Sequence, residues 1–583
     1  MFDTVLVANR GEIALRVMRA CKELGIRTVA VYSEADRDAP HVAYADDAFL
    51  IGPPAPVQSY LNIERIIEVA QKAGVGAIHP GYGFLSENSS FARACEEAGI
   101  TFIGPLGITM ERMGAKDAAR REAKSAGVPI VPGTVEAVST PDQVRKLAKD
   151  FGYPVAIKAI GGGGGRGLRV VYTPDEVQDA FESARRESET AFKNPELYVE
   201  KYLTNPRHIE IQILADTHGN VVYLGERDCS IQRRHQKLIE ESPSPAITPE
   251  VRARMGAAAV SLAKSVDYRG AGTLEFLFQD GEFYFLEMNT RIQVEHTVTE
   301  MVTSVDLVQG QLRVAQGEPL WFTQEQIVFS GHAIECRINA EDPAAGFRPA
   351  LGTIDEYVEP SGFGVRVDSG VRPQYTIPQY YDSLISKLVV WADTRDAAIA
   401  RTLRALSDYR ITGVITTVPF HQMALDHQAF RDGEATVTFI PRYLAEDLPN
   451  LKATDNQLLA NNHQEAADVR LFAVEVNGRR FDVRVATNET DMRRSDEDRP
   501  KRSRSSRMVA PTDGVMCPIQ GTVIGVRVEP GQSVEAGQVL FLVEAMKMEN
   551  EITAPHAGVL SEIAVKEGSV VEAGALLARY QAD

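Results

Sequence analysis

The 583-residue sequence is poor in cysteine, has no long apolar run and has no surplus of positive charge. Its five cysteines, Cys21, Cys95, Cys229, Cys336 and Cys517, stand singly, with no pair at CxxC spacing. That excludes a disulfide framework and a zinc site built on paired cysteines, and it points to a reducing compartment. A net charge of -18 argues against nucleic acid as a partner, because a phosphate backbone needs a basic surface. No stretch approaches the ~18 apolar residues of a membrane span. The N-terminal residues carry neither a basic region nor a cleavage-site pattern, so no signal peptide is expected. The expectation is a soluble cytoplasmic protein. Two common phosphate-binding fingerprints are also missing. There is no GxxxxGK[ST], and the match at Gly162, Gly164 and Gly167 is trivial inside a glycine run with no helix after it.

At ~100–200 residues per domain, the length predicts roughly three to five compact units. Residues 4–8 read as a buried strand, 12–24 as a helix stopped by Gly25, and 27–32 as the next strand. This alternation runs to about residue 115 and predicts an α/β unit with a parallel sheet. Residues from about 130 to 205 read as a strand-rich module around a glycine run, and 205–446 as mixed α and β. Two strands are expected around Asn477-Gly478, followed at 488–507 by a charged, flexible linker. The last segment repeats itself. Gly521, Gly531, Val534, Gly537 and Leu540 recur 37 residues on as Gly558, Gly568, Val571, Gly574 and Leu577. Two strand–turn–strand copies predict an all-β unit with an internal two-fold.

Three places carry residues suited to chemistry. Between the repeat copies, Ala545-Met546-Lys547-Met548 should lie at an exposed hairpin tip, where flanking methionines gain little from burial and suggest recognition by another protein. Lys158 lies in an apolar strand just before the glycine run at 161–167, whose backbone N–H groups could approach phosphate. Glu275 and Glu287 fall in two apolar strands joined through Gln279-Asp280-Gly281. A two-residue turn would put the two carboxylates on opposite faces; a three-residue loop with Gly281 left-handed would put them on one face. Carboxylates side by side repel unless a cation joins them, and hard oxygen donors suit Mg²⁺ or Mn²⁺. After Glu287, the polar residues Asn289, Arg291, Gln293 and Glu295 take every second position, so an extended chain would point all five one way.

These residues resemble known families. Ala545-Met546-Lys547-Met548 resembles the biotin attachment motif, and its segment resembles a biotinyl carrier domain of the thumbless kind. The glycine run after Lys158 resembles the ATP-grasp superfamily. The segments from Glu287 to His296, from Asp228 to Lys237 and from His79 to Asn88 resemble biotin carboxylase within it.

The resemblance implies a multidomain α/β and α+β fold. It comprises an N-terminal Rossmann-like domain (1–115), an ATP-grasp domain (116–320) with a lid at about 130–203, and a C-terminal biotin carboxylase domain (321–446). A linker with a short hairpin (447–507) and an all-β biotinyl domain (510–583) would follow. It implies that Lys116 and Lys158 contact phosphates and that Gly164 and Gly165 belong to the lid. Glu200, Lys201, Tyr202 and Leu203 would hold adenine, with His208, Gln232 and His235 near the nucleotide. Glu275, Glu287 and Asn289 would hold Mg²⁺ or Mn²⁺. Lys237, Arg291, Gln293 and the backbone of Val294 would bind bicarbonate, with Glu295 as general base. Bicarbonate attack on the γ-phosphoryl group would give carboxyphosphate, and Arg337 would stabilise the biotin enolate. Biotin would sit covalently on Lys547, placed there by a biotin protein ligase. The implied partners are a separate carboxyltransferase β subunit, with acetyl-CoA or propionyl-CoA as its substrate, and, through an expected oligomer, further copies of this chain. The alternatives are another acceptor, such as methylcrotonyl-CoA, or a carrier scaffold without catalysis of its own.

Overall fold

A computed structural model describes residues 2–134, 137–159, 168–192, 196–451, 468–476, 479–487, 514–518, 521–545, 548–571 and 574–581. Among them, no helix is long and apolar enough to cross a membrane.

The N-terminal part is a five-stranded parallel sheet in the order Asp47–Gly52, Arg27–Ser33, Thr4–Val7, Ala77–His79, Thr101–Phe102. Thr4–Val7 is buried throughout, as a central parallel strand covered on both faces must be. Helix Gly11–Glu23 packs Ile13, Ala14, Val17 and Met18 against it. A small module follows. Strands Val155–Ala159, Leu168–Val171 and Leu197–Lys201 form a three-stranded sheet under helices Pro141–Phe151 and Val177–Phe192. Its separate core contains Val144, Ile157, Phe181 and Val199.

The centre is one antiparallel sheet of eight strands. Its order is Glu282–Asn289, Gly270–Gln279, Arg207–Ala215, Val221–Arg233, Gln236–Ser242, His332–Asn339, Leu384–Ala392, Val365–Ser369. The boundary expected near residue 320 therefore falls between strands of a single continuous sheet. Gln236–Ser242 pairs directly with His332–Asn339.

The expected hairpin at 468–487 is present as Asp468–Val476 paired with Arg479–Thr487; Asn477 and Gly478 lie outside the described residues, as do the linker residues 488–507. The C-terminal unit consists of two four-stranded sheets. Strand Gly521–Val526 corresponds to Gly558–Ile563, and Val539–Ala545 to Leu576–Tyr580, and each occupies the same place in its own sheet. The sequence repeat is thus a structural two-fold, closed around Val523, Leu540, Leu560 and Leu577.

The hairpin carrying Glu275 and Glu287 combines the two possibilities that its sequence left open. Gln279 pairs with Glu282, so the turn has two residues, and Asp280 (φ 55°) and Gly281 (φ 82°) are both left-handed. That register alone would set the two glutamates on opposite faces. The ladder shifts between Phe276–Phe285 and Glu275–Glu287, leaving Leu286 as the extra residue of a β-bulge. Bulging at Leu286 brings Glu287 opposite Glu275 and Asn289 opposite Thr273. No atom lies within 4 Å of a Cβ built on Gly281. Gly281→Val should therefore lower stability by about 1–2 kcal/mol through backbone strain alone, measured as the denaturant midpoint.

Candidate active site

Alternating polar residues on neighbouring strands build the site. On Arg207–Ala215, His208, Glu210 and Gln212 alternate with Ile209, Ile211 and Ile213, and the isoleucines are fully buried in the core below. Strand register then sets Glu287, Glu275, Glu210 and Arg227 side by side on four adjacent strands. Three carboxylates in neighbouring positions repel one another. They persist because cations reach them. Arg227, fully buried, bonds Glu210 and donates to Gln212 (2.7 Å), Thr299 (2.9 Å), Thr273 (3.1 Å) and Gln293 (2.8 Å). His208 Nε2 approaches Glu275 Oε2 at 2.9 Å.

Lys237 is the hub. Its ammonium donates to Glu210 (2.6 Å), Glu275 (2.9 Å) and Glu295 (2.6 Å). Burial opposes its charge, but Glu210, Glu295 and Glu275 hold it firmly protonated, well above the usual lysine range. Glu295 answers to the same balance. Burial pushes its carboxyl up, and Lys237, Arg337 and Arg227 pull it well below the usual range. Arg337 donates to Glu295 (2.9 Å) and Glu240 (2.5 Å). Burial and the charge of Glu295 push Glu240 up to about 7 against the pull of Arg337.

The five alternating residues do not lie along one extended strand. The strand ends at Asn289, and the chain turns through 290–295 into helix His296–Thr303, with Glu295 as its N-cap. The turn divides them. Asn289 and Gln293 both donate to Glu275 Oε1, at 2.9 and 2.8 Å. Glu295 goes to Lys237 and Arg337. Arg291 instead pairs with Glu87 (2.9 Å) and donates to Asn289 (2.8 Å), so the Asn289 amide joins it to the carboxylate cluster.

The expected nucleotide residues lie on the small module and nearby. Lys158 donates to Glu200 at 2.5 Å, and Arg120 bonds the other oxygen of that carboxylate. Burial would raise the Glu200 pKa, and these two cations lower it. The backbone at Lys201 and Tyr202 bonds Pro132 and Pro154, and the Lys201 ammonium holds the carbonyls of Gly152 and Tyr153. Leu203 is half-buried just beyond. Lys116 opens helix Lys116–Ser125. Gln232 pairs with Lys237 across its hairpin, and His235 stands exposed on the turn of that hairpin with φ 68°. Gly164, Gly165 and Lys547 lie outside the described residues.

The sequence motifs assign no role to Glu210, Arg227, Glu240, Glu87 or Arg120. Glu210 was legible all the same, because residues 208–213 alternate as plainly as 287–295. Oxygen donors on Glu275, Glu287 and Asn289 fit a hard divalent cation; His208, Glu210 and Glu275 also present ligand atoms within 4.8 Å of one another. Arg227→Met leaves Glu210 buried beside an apolar side chain. Thermal unfolding should show a loss of about 3–5 kcal/mol, the scale for breaking one side of a buried pair.

Family models match most of the chain, leaving 443–507 as the longest unmatched stretch. They are "Biotin carboxylase, N-terminal domain" over 1–110, "Carbamoyl-phosphate synthase L chain, ATP binding domain" over 115–323, "Biotin carboxylase C-terminal domain" over 335–442 and "Biotin-requiring enzyme" over 508–580. A pyruvate carboxylase subunit from Methanothermobacter thermautotrophicus is 59% identical over 443 residues, 76% of this chain and 90% of that protein. Biotin carboxylase 1 of Bacillus subtilis is 55% identical over 445 residues, 76% of this chain and 99% of that protein. Among solved structures, the biotin carboxylase domain dimer of Hydrogenobacter thermophilus 2-oxoglutarate carboxylase, with MgADP, ADP and bicarbonate, is 52% identical with a TM-score of 0.68. That likeness covers 76% of this chain and 98% of that one. The buried network around Lys237 is thus set in a known framework, and the chain belongs to the biotin carboxylase family of ATP-dependent ligases, with a domain of biotin-requiring enzymes after it.

Proposed function

We propose that the network around Lys237 binds bicarbonate and activates it with ATP for transfer to biotin on Lys547. We further propose that the chain acts as the α subunit of an acyl-CoA carboxylase. The observation that carries the first part is the triple contact of Lys237 with Glu210, Glu275 and Glu295, with Arg337 sharing Glu295. A compact cation cluster around one carboxylate suits a small oxyanion that must be held and deprotonated. Glu295 is the base. It is fully ionised at neutral pH, and its proton affinity rises when an anion draws Lys237 or Arg337 away. Arg291 and Gln293 complete the bicarbonate site with the Val294 backbone. Lys116 and Lys158 would contact the phosphates, and Glu200 to Leu203 would hold the base of the nucleotide, with His208, Gln232 and His235 nearby.

The cofactors are biotin, ATP and Mg²⁺. Glu275, Glu287 and Asn289 would hold the metal, which supplies charge neutralisation on the phosphates. Arg337 steadies negative charge on the carboxyl acceptor.

Fusion of the carrier with the carboxylase supports the α-subunit reading. The matches to relatives take in nearly all of each relative but only 76% of this chain, so the carrier segment lies beyond them. The partners are then a carboxyltransferase β subunit, a biotin protein ligase and further copies of this chain, in the cytoplasm. A second reading, a 2-oxo acid as the final acceptor, is favoured by relatives named for pyruvate carboxylase and for 2-oxoglutarate carboxylase.

Phosphate release from ATP should require bicarbonate and biotin. Glu295→Gln should lower it by about 10²–10⁴-fold, the usual worth of a general base, with ATP affinity retained; near-normal turnover in that variant would remove Glu295 from the mechanism. A streptavidin blot should lose its signal in Lys547→Arg. Carboxyl transfer to acetyl-CoA, propionyl-CoA, methylcrotonyl-CoA, pyruvate and 2-oxoglutarate, with the copurified partner, separates the two acceptor readings.

A further inference from the structure

Lys387 lies at the centre of strand Leu384–Ala392 and is fully buried, an uncommon place for a lysine. It faces Arg337 on one neighbouring strand and Asp368 on the other. Its ammonium donates to the carbonyl of Val294 at 2.8 Å and lies 3.3 Å from Glu12. Glu12 comes from the N-terminal helix and also accepts from the Tyr82 hydroxyl. Lys387 therefore joins three separate parts of the chain directly behind the turn that carries Gln293 and Glu295.

The carbonyls at this turn are held in succession. Gln293 O meets His296 Nδ1 at 2.8 Å, and Val294 O receives Lys387. Each peptide is planar and trans, so fixing a carbonyl fixes the N–H on its opposite side. The Val294 and Glu295 N–H groups thus have set directions, and the side chains of Gln293 and Glu295 leave the turn at set angles toward Glu275 and Lys237.

We infer that Lys387 is a positioning residue for bicarbonate: through the Val294 carbonyl it holds the Gln293–Val294–Glu295 turn in the geometry that receives the anion. The inference rests on the bicarbonate reading above. It differs from a purely structural role in predicting a larger loss for bicarbonate than for ATP, because the nucleotide residues Lys158 and Glu200 lie on a different module.

The test is steady-state phosphate release by the full chain, with bicarbonate and ATP varied separately. In Lys387→Met, kcat/KM for bicarbonate should fall by about 10²-fold, the scale of an ångström-level misplacement, while KM for ATP stays within about two-fold. Lys387→Arg keeps a donor and should recover part of the loss. Unchanged bicarbonate kinetics in Lys387→Met, or equal losses for both substrates, would overturn the inference. If Lys387→Met does not fold, Glu12→Gln, which keeps its shape and loses only the charged anchor, decides. A smaller bicarbonate-specific loss supports the inference, and no change overturns it. A wild-type chain without bicarbonate-dependent turnover would overturn the function reading itself; wild-type turnover with an unaffected Lys387→Met overturns this inference alone.

Discussion

The contact of one ammonium with three buried carboxylates is what the rest of the molecule has to accommodate. Glu210, Glu275 and Glu295 are each at least 95% buried, and removing such groups from water costs several kcal/mol apiece. Attraction to Lys237 offsets that cost only because each carboxylate has an oxygen within 3 Å of it and because other lone pairs are met by Arg227, Asn289, Gln293 and Arg337. Such an arrangement is a poor way to gain stability. Removal of any one cation exposes the remaining carboxylates to mutual repulsion.

The scaffold is continuous across the site. Glu275 and Glu210 lie on one part of the eight-stranded sheet and Lys237 on a hairpin further along, and Arg337 and Lys387 come from strands beyond residue 320. One sheet crosses what the sequence presents as two domains, so the site does not depend on two bodies docking. The bulge at Leu286 is the local adjustment that makes the sheet serve the chemistry, because it brings Glu287 into line with Glu275. The C-terminal unit follows a different rule. Its two sheets are built from one repeated segment, each copy supplying corresponding strands.

Much of this was legible in the chain. The parallel N-terminal sheet, the hairpin at 468–487 and the two-fold at the end all follow from short-range periodicity and repeat spacing, which act over a few residues. Lys237, Gln293, Glu295 and Arg337 also stood out in their motifs, and the fold brings all four into one buried network. The alternation from Glu287 to Glu295 was misleading in one respect. It suggested a single extended face, and the chain instead turns after Asn289 into a helix from His296 that the pattern does not announce. That turn sends Arg291 to Glu87 while Gln293 and Glu295 go inward.

The sequence by itself determined which side chains could do the chemistry, because residue types and two-residue spacing are local properties. Only the tertiary structure decided who meets whom. Arg227 beside Glu210, Lys237 between three carboxylates and Lys387 behind Val294 each depend on cross-strand register or on contacts over long separations in the chain. Pairing energies there are set by burial and distance, which no local pattern encodes.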